Sequence, residues 1–308
     1  LTQSCKNEPN IKPEEIIKPN PESFQTLRAA ALTSLAQSDT LSADSALTFT
    51  STNGVTLSLD AGALIDEEGN AVTGDVALTY IELFDQGNMV ASNKPLLGLD
   101  KDENLNALAT GGEFYITFTQ NEKNLKLAKS YTLAVPAALT GEHDKDMTLW
   151  DGITQTNGDI FWTAIVDREA GINHQENDSL YQVYNDQFGW TNIDKVIAKQ
   201  EDSTALTVAV PADYNYANSA VYFTYKGQGN ALVQLTEFDA ESSSFTEKSG
   251  NVAIGDEINV IFVSESKNSF AVAIKTVTVE AATSVKFELE NLKTTNTNGL
   301  VSLINGLD

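Results

Sequence analysis

The sequence holds one cysteine, Cys5, and two histidines, His143 and His174, in 308 residues. A single cysteine excludes an intramolecular disulfide, so the thiol count says nothing about redox compartment. The histidines form no His-Glu-x-x-His pair, and there is no Gly-x-Ser-x-Gly elbow, so the commonest hydrolase signatures are missing. Basic residues are also scarce. Nineteen Lys+Arg stand against 43 Asp+Glu, a formal net charge of −24. That field repels phosphate backbones and anionic lipid surfaces, and it argues against nucleic acid as a partner. It favours solubility and suits a salty exterior where charges are screened. No stretch approaches the roughly 18 apolar residues of a membrane-spanning helix. Of the seven prolines, four (Pro9, Pro13, Pro19 and Pro21) crowd into the start of the chain.

What is present is a globular composition, 41% apolar, in a chain long enough to bury a large core and to divide into two or three domains. From Glu22 to Gln37 the spacing of Phe24, Leu27, Ala31, Leu32 and Leu35 predicts a short amphipathic helix, with Ser23 as its N-cap. Beyond it the rhythm changes to two. Val55, Leu57 and Leu59 alternate with Thr56 and Ser58; Val76, Leu78 and Tyr80 with Ala77 and Thr79; and Phe114, Ile116 and Phe118 with Tyr115 and Thr117. Such alternation marks half-buried antiparallel strands, and turn residues such as Glu68-Gly69-Asn70, Thr73-Gly74-Asp75 and Gly111-Gly112 separate them. Two strands, "YTLAVPAAL" at 131–139 and "LTVAVPADY" at 206–214, stop at a proline, which suggests module boundaries near Pro136 and Pro211. Alternation returns after residue 221, and the tail "NTNGLVSLINGLD" reads as a short helix.

The expected fold is therefore mainly β: two or three β-sandwich modules, immunoglobulin-like or transthyretin-like, with a short N-terminal helix. The expected divisions are a tether over 1–22, helix and linker over 23–44, a first sandwich over 45–136, a Trp-rich middle module over 137–212, a second sandwich over 213–285 and a tail over 286–308.

Cys5 has a small residue, Ser4, before it, and Leu1-Thr2-Gln3-Ser4-Cys5 resembles the end of a bacterial lipoprotein signal peptide. On that reading Leu1 to Ser4 are a remnant lost on maturation, and acyl chains on Cys5 anchor the protein. Each buried methylene contributes about 0.8 kcal/mol. Thr2 stands where such motifs usually carry Leu, a looseness similar to that of Bacteroidota lipoproteins. In that group, a Lys and acidic residues after the cysteine, here Lys6 and Glu8, resemble a surface-export signal. The proline-rich residues 6–22 read as a semi-rigid spacer. The stretches "VTLSLDAGALIDEEGNAVTGDVALTYIEL" (55–83) and "LATGGEFYITFTQNEKNLKLAKSYTLAVP" (108–136) resemble extracellular carboxypeptidase-regulatory or immunoglobulin-like sandwich modules of Bacteroidota surface lipoproteins. The resemblance covers roughly 55–280. It implies backbone-geometry roles for Gly62, Gly74, Gly111 and Gly112, and it brings no catalytic residue with it.

Four candidate sites remain. Trp150, Trp162, Trp190 and Tyr184, with Tyr181 and Phe188, could form a sugar-stacking platform or a core. Asp100, Asp102 and Asn104 alternate in "DKDENLN", which is either the opening of a calcium loop or a solvated hairpin turn. Thr40, Ser45, Ser179 and Ser203 each follow an Asp and precede an apolar residue or threonine, similar to Bacteroidota O-glycosylation acceptors; the alternative is turn and capping chemistry. A pair of carboxylates for hydrolysis could be hidden among 43 acids. The leading expectation is a non-enzymatic outer-membrane surface lipoprotein without cofactor, acting as a scaffold, an accessory subunit or an adhesive module. Its partners would be the membrane, through Cys5, and an outer-membrane protein or surface glycan. The alternatives are a glycan-binding protein using the Trp-rich middle and a cryptic hydrolase.

Overall fold

The computed structural model describes residues 18–100, 104–155, 158–166, 168–174 and 179–307. The chain is mainly β and forms two sandwiches. In the first, Gln37–Ser42, Asp75–Leu83, Leu105–Gln120, Gly189–Val196, Thr148–Thr154, Ile160–Ala164 and Leu97–Leu99 lie side by side in that order. The opposing sheet orders Gly171–Asn173, Leu180–Asn185, Tyr131–Pro136, Thr56–Leu59 and Leu47–Thr50. Between them sit Leu57, Leu59, Val76, Leu78, Tyr80, Phe114, Ile116, Phe118, Leu133 and Val135. These are the residues that the period-two pattern assigns to one face.

The boundaries expected at Pro136 and Pro211 do not coincide with the sheets. Both prolines follow or end a strand, but strands from 148–196 complete both sheets of the first sandwich, so the described residues of 137–212 form no separate module. The second sandwich starts at Ser203, before Pro211. It packs Glu237–Asp239, Ser244–Ala253, Ser203–Ala209 and Ser284–Lys286 against Val233–Gln234, Ser219–Tyr225, Glu257–Ser266, Ser269–Thr278 and Lys293–Thr295. Strand continuity in sequence carried no information on which sheet a strand joins; long-range pairing decided it.

The first sheet also closes on itself. Leu97–Leu99 pairs in parallel with Ile160–Ala164 and antiparallel with Leu105–Gln120, so five strands form a ring. Three helices pack at its mouth: α1 (Pro21–Ser34), α2 (Gln86–Ser92) and α3 (Thr297–Asn305). The N-cap of α1 is Asn20, not Ser23. The Asn20 side chain accepts from the Ser23 amide at 2.9 Å, and Pro21 takes the first helical position, where a missing N–H costs nothing. The last residues of the expected tether are thus part of the folded body.

The ring, the helices and the outer face of the second sandwich share one apolar cluster. It holds Phe24, Met89, Val90, Leu96, Leu108, Trp150, Trp162, Tyr222, Ile261, Phe270 and Leu300. The strands Ser219–Tyr225 and Glu257–Ser266 are buried on both faces, which explains their near-continuous apolar text. Backbone bonds cross the junction from Leu96 to Leu232 at 2.8 Å and from Thr110 to Asn230 at 2.9 Å.

Candidate functional site

Strand register places one set of side chains on the inner face of the ring. Glu113 pairs with Asn192, Tyr115 with Trp190, Thr110 with Asp194, Trp150 with Asn192, and Gly152 with Trp162. Directly opposed residues share a face, as do residues two apart. Phe114 and Ile193, their sequence neighbours, point the other way into the first sandwich. The inner face therefore carries all three tryptophans together with Thr110, Glu113, Asn192 and Asp194.

Trp150 and Trp162 are buried, and each indole N–H donates to a backbone carbonyl: Trp150 to Asp194 at 3.1 Å, Trp162 to Pro95 at 3.0 Å. Trp190 is half-buried, tilted against Tyr115 at 5.3 Å and edge-on to Trp162 at 6.3 Å. Tyr184 is exposed, but it stands on the opposing sheet. Tyr181 and Phe188 pack in or against the sandwich core. The aromatic set is thus not brought together on an open face. The tryptophans fill the ring, and Gly98 and Gly152 make room for them. A Cβ at Gly152 would lie 2.6 Å from Trp190 Cβ, and one at Gly98 would lie 2.9 Å from Trp150 Cζ3.

The polar members of this face are unusual for their burial. Glu113 and Asp194 are fully buried, and both Glu113 oxygens and Asp194 Oδ1 have no hydrogen-bond partner. Asp194 Oδ2 accepts from Asn192 at 2.6 Å, and the Thr110 hydroxyl donates to Asn192 at 2.7 Å. Burial pushes the Glu113 carboxyl well above its ordinary range, with Asp194 adding to the rise and Lys94 opposing it. Burial likewise raises Asp194, against a smaller opposing pull from Thr110.

Lys94 closes the mouth of the ring. Asn93 ends α2 in the left-handed conformation, φ 57°, which asparagine tolerates, and Pro95 stops the helix from resuming. The turn buries Lys94, whose ammonium lies 5.3 Å from the Trp190 ring and 3.5 Å from the carbonyls of Ser92 and Asn93. Burial lowers its pKa from the ordinary lysine value, with Glu113 acting the other way. Beside it runs a chain of hydrogen bonds. Arg28 of α1 donates to Tyr222 at 3.0 Å, Tyr222 to Asn93 at 2.6 Å, Asn93 to Asp159 at 2.8 Å, and Tyr216 to Asp159 at 2.8 Å. A cavity of about 310 Å³ opens here, lined by Gln25, Arg28, Leu32, Asn93 and Lys94 among others. Composition and spacing gave no hint of this group.

The other expected sites are placed as follows. Asn104 donates to Asp100 from its backbone at 2.9 Å and closes the hairpin between Leu97–Leu99 and Leu105–Gln120; Asp102 lies outside the described residues. Among the described residues, no three His, Cys, Asp or Glu side chains gather as a metal-binding set. Thr40, Ser45, Ser179 and Ser203 are all exposed. Cys5 lies outside the described residues. His143 stacks on Tyr181 at 4.7 Å and meets His174 edge-on at 5.6 Å, with both His143 ring nitrogens buried and lacking a partner. Gly62, Gly74 and Gly112 have positive φ, whereas Gly111 is needed for space, since a Cβ there would lie 2.9 Å from Ile193. Comparison with protein-family models, with curated proteins and with solved structures found no match.

Proposed function

We propose that the chain is a non-enzymatic cell-surface lipoprotein that serves as a scaffold or accessory subunit of an outer-membrane complex. In this reading it is held to the membrane by acylated Cys5 and the proline-rich segment that follows. The observation that supports it best is the docking of α1. The helix that follows the tether is clamped to the body: the Asn20 amide donates to Glu265 at 2.6 Å, and Phe24 is fully buried in the junction cluster. That cluster also joins both sandwiches, so load on the tether reaches the whole body at once. Such a body presents its surfaces at a fixed geometry relative to the membrane. The exposed Thr40, Ser45, Ser179 and Ser203 are accessible to a glycosyltransferase. A glycan platform built on Trp150 and Trp162 is not part of this reading, because both are buried.

The test is extraction of the full-length, C-terminally tagged protein from its native membrane in mild detergent. A membrane protein should co-purify at fixed stoichiometry, and Cys5→Ala should abolish both fatty-acid labelling and membrane retention. A solitary protein would remove the complex, and a Cys5→Ala variant that stays in the membrane would remove the anchor.

A further inference from the structure

The cavity between α1, the end of α2 and Gly158 is lined by two cationic side chains, Arg28 and Lys94, in a strongly acidic chain. Neither has its hydrogen-bonding capacity filled. Arg28 Nε is buried without a partner, and the guanidinium otherwise lies 3.8 Å over the Phe24 ring and makes its contact to Tyr222. Lys94 is 5% exposed, and among the described residues its three N–H groups find two carbonyls, each at 3.5 Å. No hydrogen bond links it to Glu113, whose oxygens have none. Buried donors of this kind are costly unless an acceptor reaches them.

We propose that this cavity binds a small organic carboxylate, with the carboxylate between Arg28 and Lys94 and its carbon skeleton toward Ala29 and Leu32. Arginine's planar fork matches a carboxylate, and a charged acceptor strengthens both contacts. Asn93 and Ser92 line the same wall, and Gln25 and Ala29 form an exposed rim through which a ligand enters. The charge balance selects a single negative charge. Asp159, held by Asn93 and Tyr216, and Glu113 both act on Lys94, so the two cations are already partly offset and leave room for no more than one added negative charge. A multiply charged phosphate would be desolvated there without enough countercharge. The volume, near the lower end of the range for ligand pockets, suits a molecule of about monosaccharide size. This inference stands apart from the lipoprotein reading and holds for an intracellular or a surface protein alike.

The experiment is calorimetric titration of the purified chain with benzoate and glucuronate, with benzyl alcohol and glucose as their neutral counterparts and inorganic phosphate as the polyanion. Intrinsic tryptophan fluorescence, to which Trp190 beside Lys94 contributes, serves as a second readout. At least one carboxylate should bind with one-to-one stoichiometry and at least tenfold more tightly than its neutral counterpart and than phosphate. Lys94→Met should weaken it at least tenfold. Gln25→Glu, a rim substitution that leaves the buried contacts intact, should also weaken it, which keeps the test decisive if Lys94→Met fails to fold. Absence of carboxylate binding at millimolar concentration overturns the proposal. So does binding that ignores both substitutions, equal binding of the neutral compounds, or tighter binding of phosphate.

Discussion

Glu113 shows how a single side chain can work against the fold that holds it. It sits at the centre of the longest strand, and its carboxyl is raised well above the ordinary range chiefly by burial. The same holds for Asp194 on the neighbouring strand. A carboxyl with a raised folded pKa holds its proton in the native state after the unfolded chain has released it. The stability it contributes is present below the unfolded values, near 4, and is lost as pH rises toward the folded ones. Glu113→Leu should therefore stabilise the protein at pH 8 by on the order of 1 kcal/mol or more. The gain should shrink at pH 5. Urea unfolding of both chains at the two pH values measures it, and a gain that is equal at both would mean that ionisation is not the cause. Nothing in the text around Glu113 announces this. Its neighbours Phe114, Ile116 and Phe118 mark a half-buried strand, on which Glu113 belongs to the side ordinarily given to solvent.

At the scale of elements, helix and strand assignments from periodicity hold where one face meets a core. The helix α1, the alternating strands of the first sandwich and the C-terminal helix α3 are all legible in this way. The helix α2 is not. Its seven residues are too short for a period, and it is buried almost all round, so no polar face reveals it. Its seat depends on Gly87. A Cβ there would come within 2.5 Å of the Val301 carbonyl oxygen of α3, although alanine is the better helix former by about 1 kcal/mol. Gly87→Ala should thus lower stability despite its propensity. Gly152→Ala, which forces a methyl against Trp190, Ile160 and Trp162, should cost about 1–3 kcal/mol. Gly229→Ala is the control, since no atom lies within 4 Å of its added carbon. Thermal unfolding of the three variants should place only the control at the wild-type midpoint.

For the whole molecule, the junction makes two sandwiches behave as one body. The apolar cluster beneath the helices takes residues from the ring, from all three helices and from the outer face of the second sandwich. The second core also reaches across the junction to Leu97 and Ala107. Trp162→Ala should cost about 3–5 kcal/mol, as large-to-small core changes do. The loss should appear in both sandwiches. Tryptophan fluorescence reports the first sandwich, and hydrogen exchange in Glu257–Ser266 and Ser269–Thr278 reports the second. Loss of stability in the first alone would mean that the junction does not couple them.

The sequence by itself determined that the chain is mainly β, where many of its strands begin and end, and which side chains of the first sandwich meet between its sheets. These follow from local sterics and from the burial of one face, and both are written in neighbouring residues. Only the tertiary structure decided that strands from 148–196 join the first sandwich, that one sheet closes into a ring, and that the tryptophans fill it rather than face solvent. It also decided that Arg28 and Lys94, far apart in the chain, line one cavity, with Asp159 hydrogen-bonded to Asn93 of its wall. The physical reason is the same in each case. Strand pairing and the second layer of burial are long-range, so an inner face and an outer face carry the same period, and only the partner across the gap tells them apart.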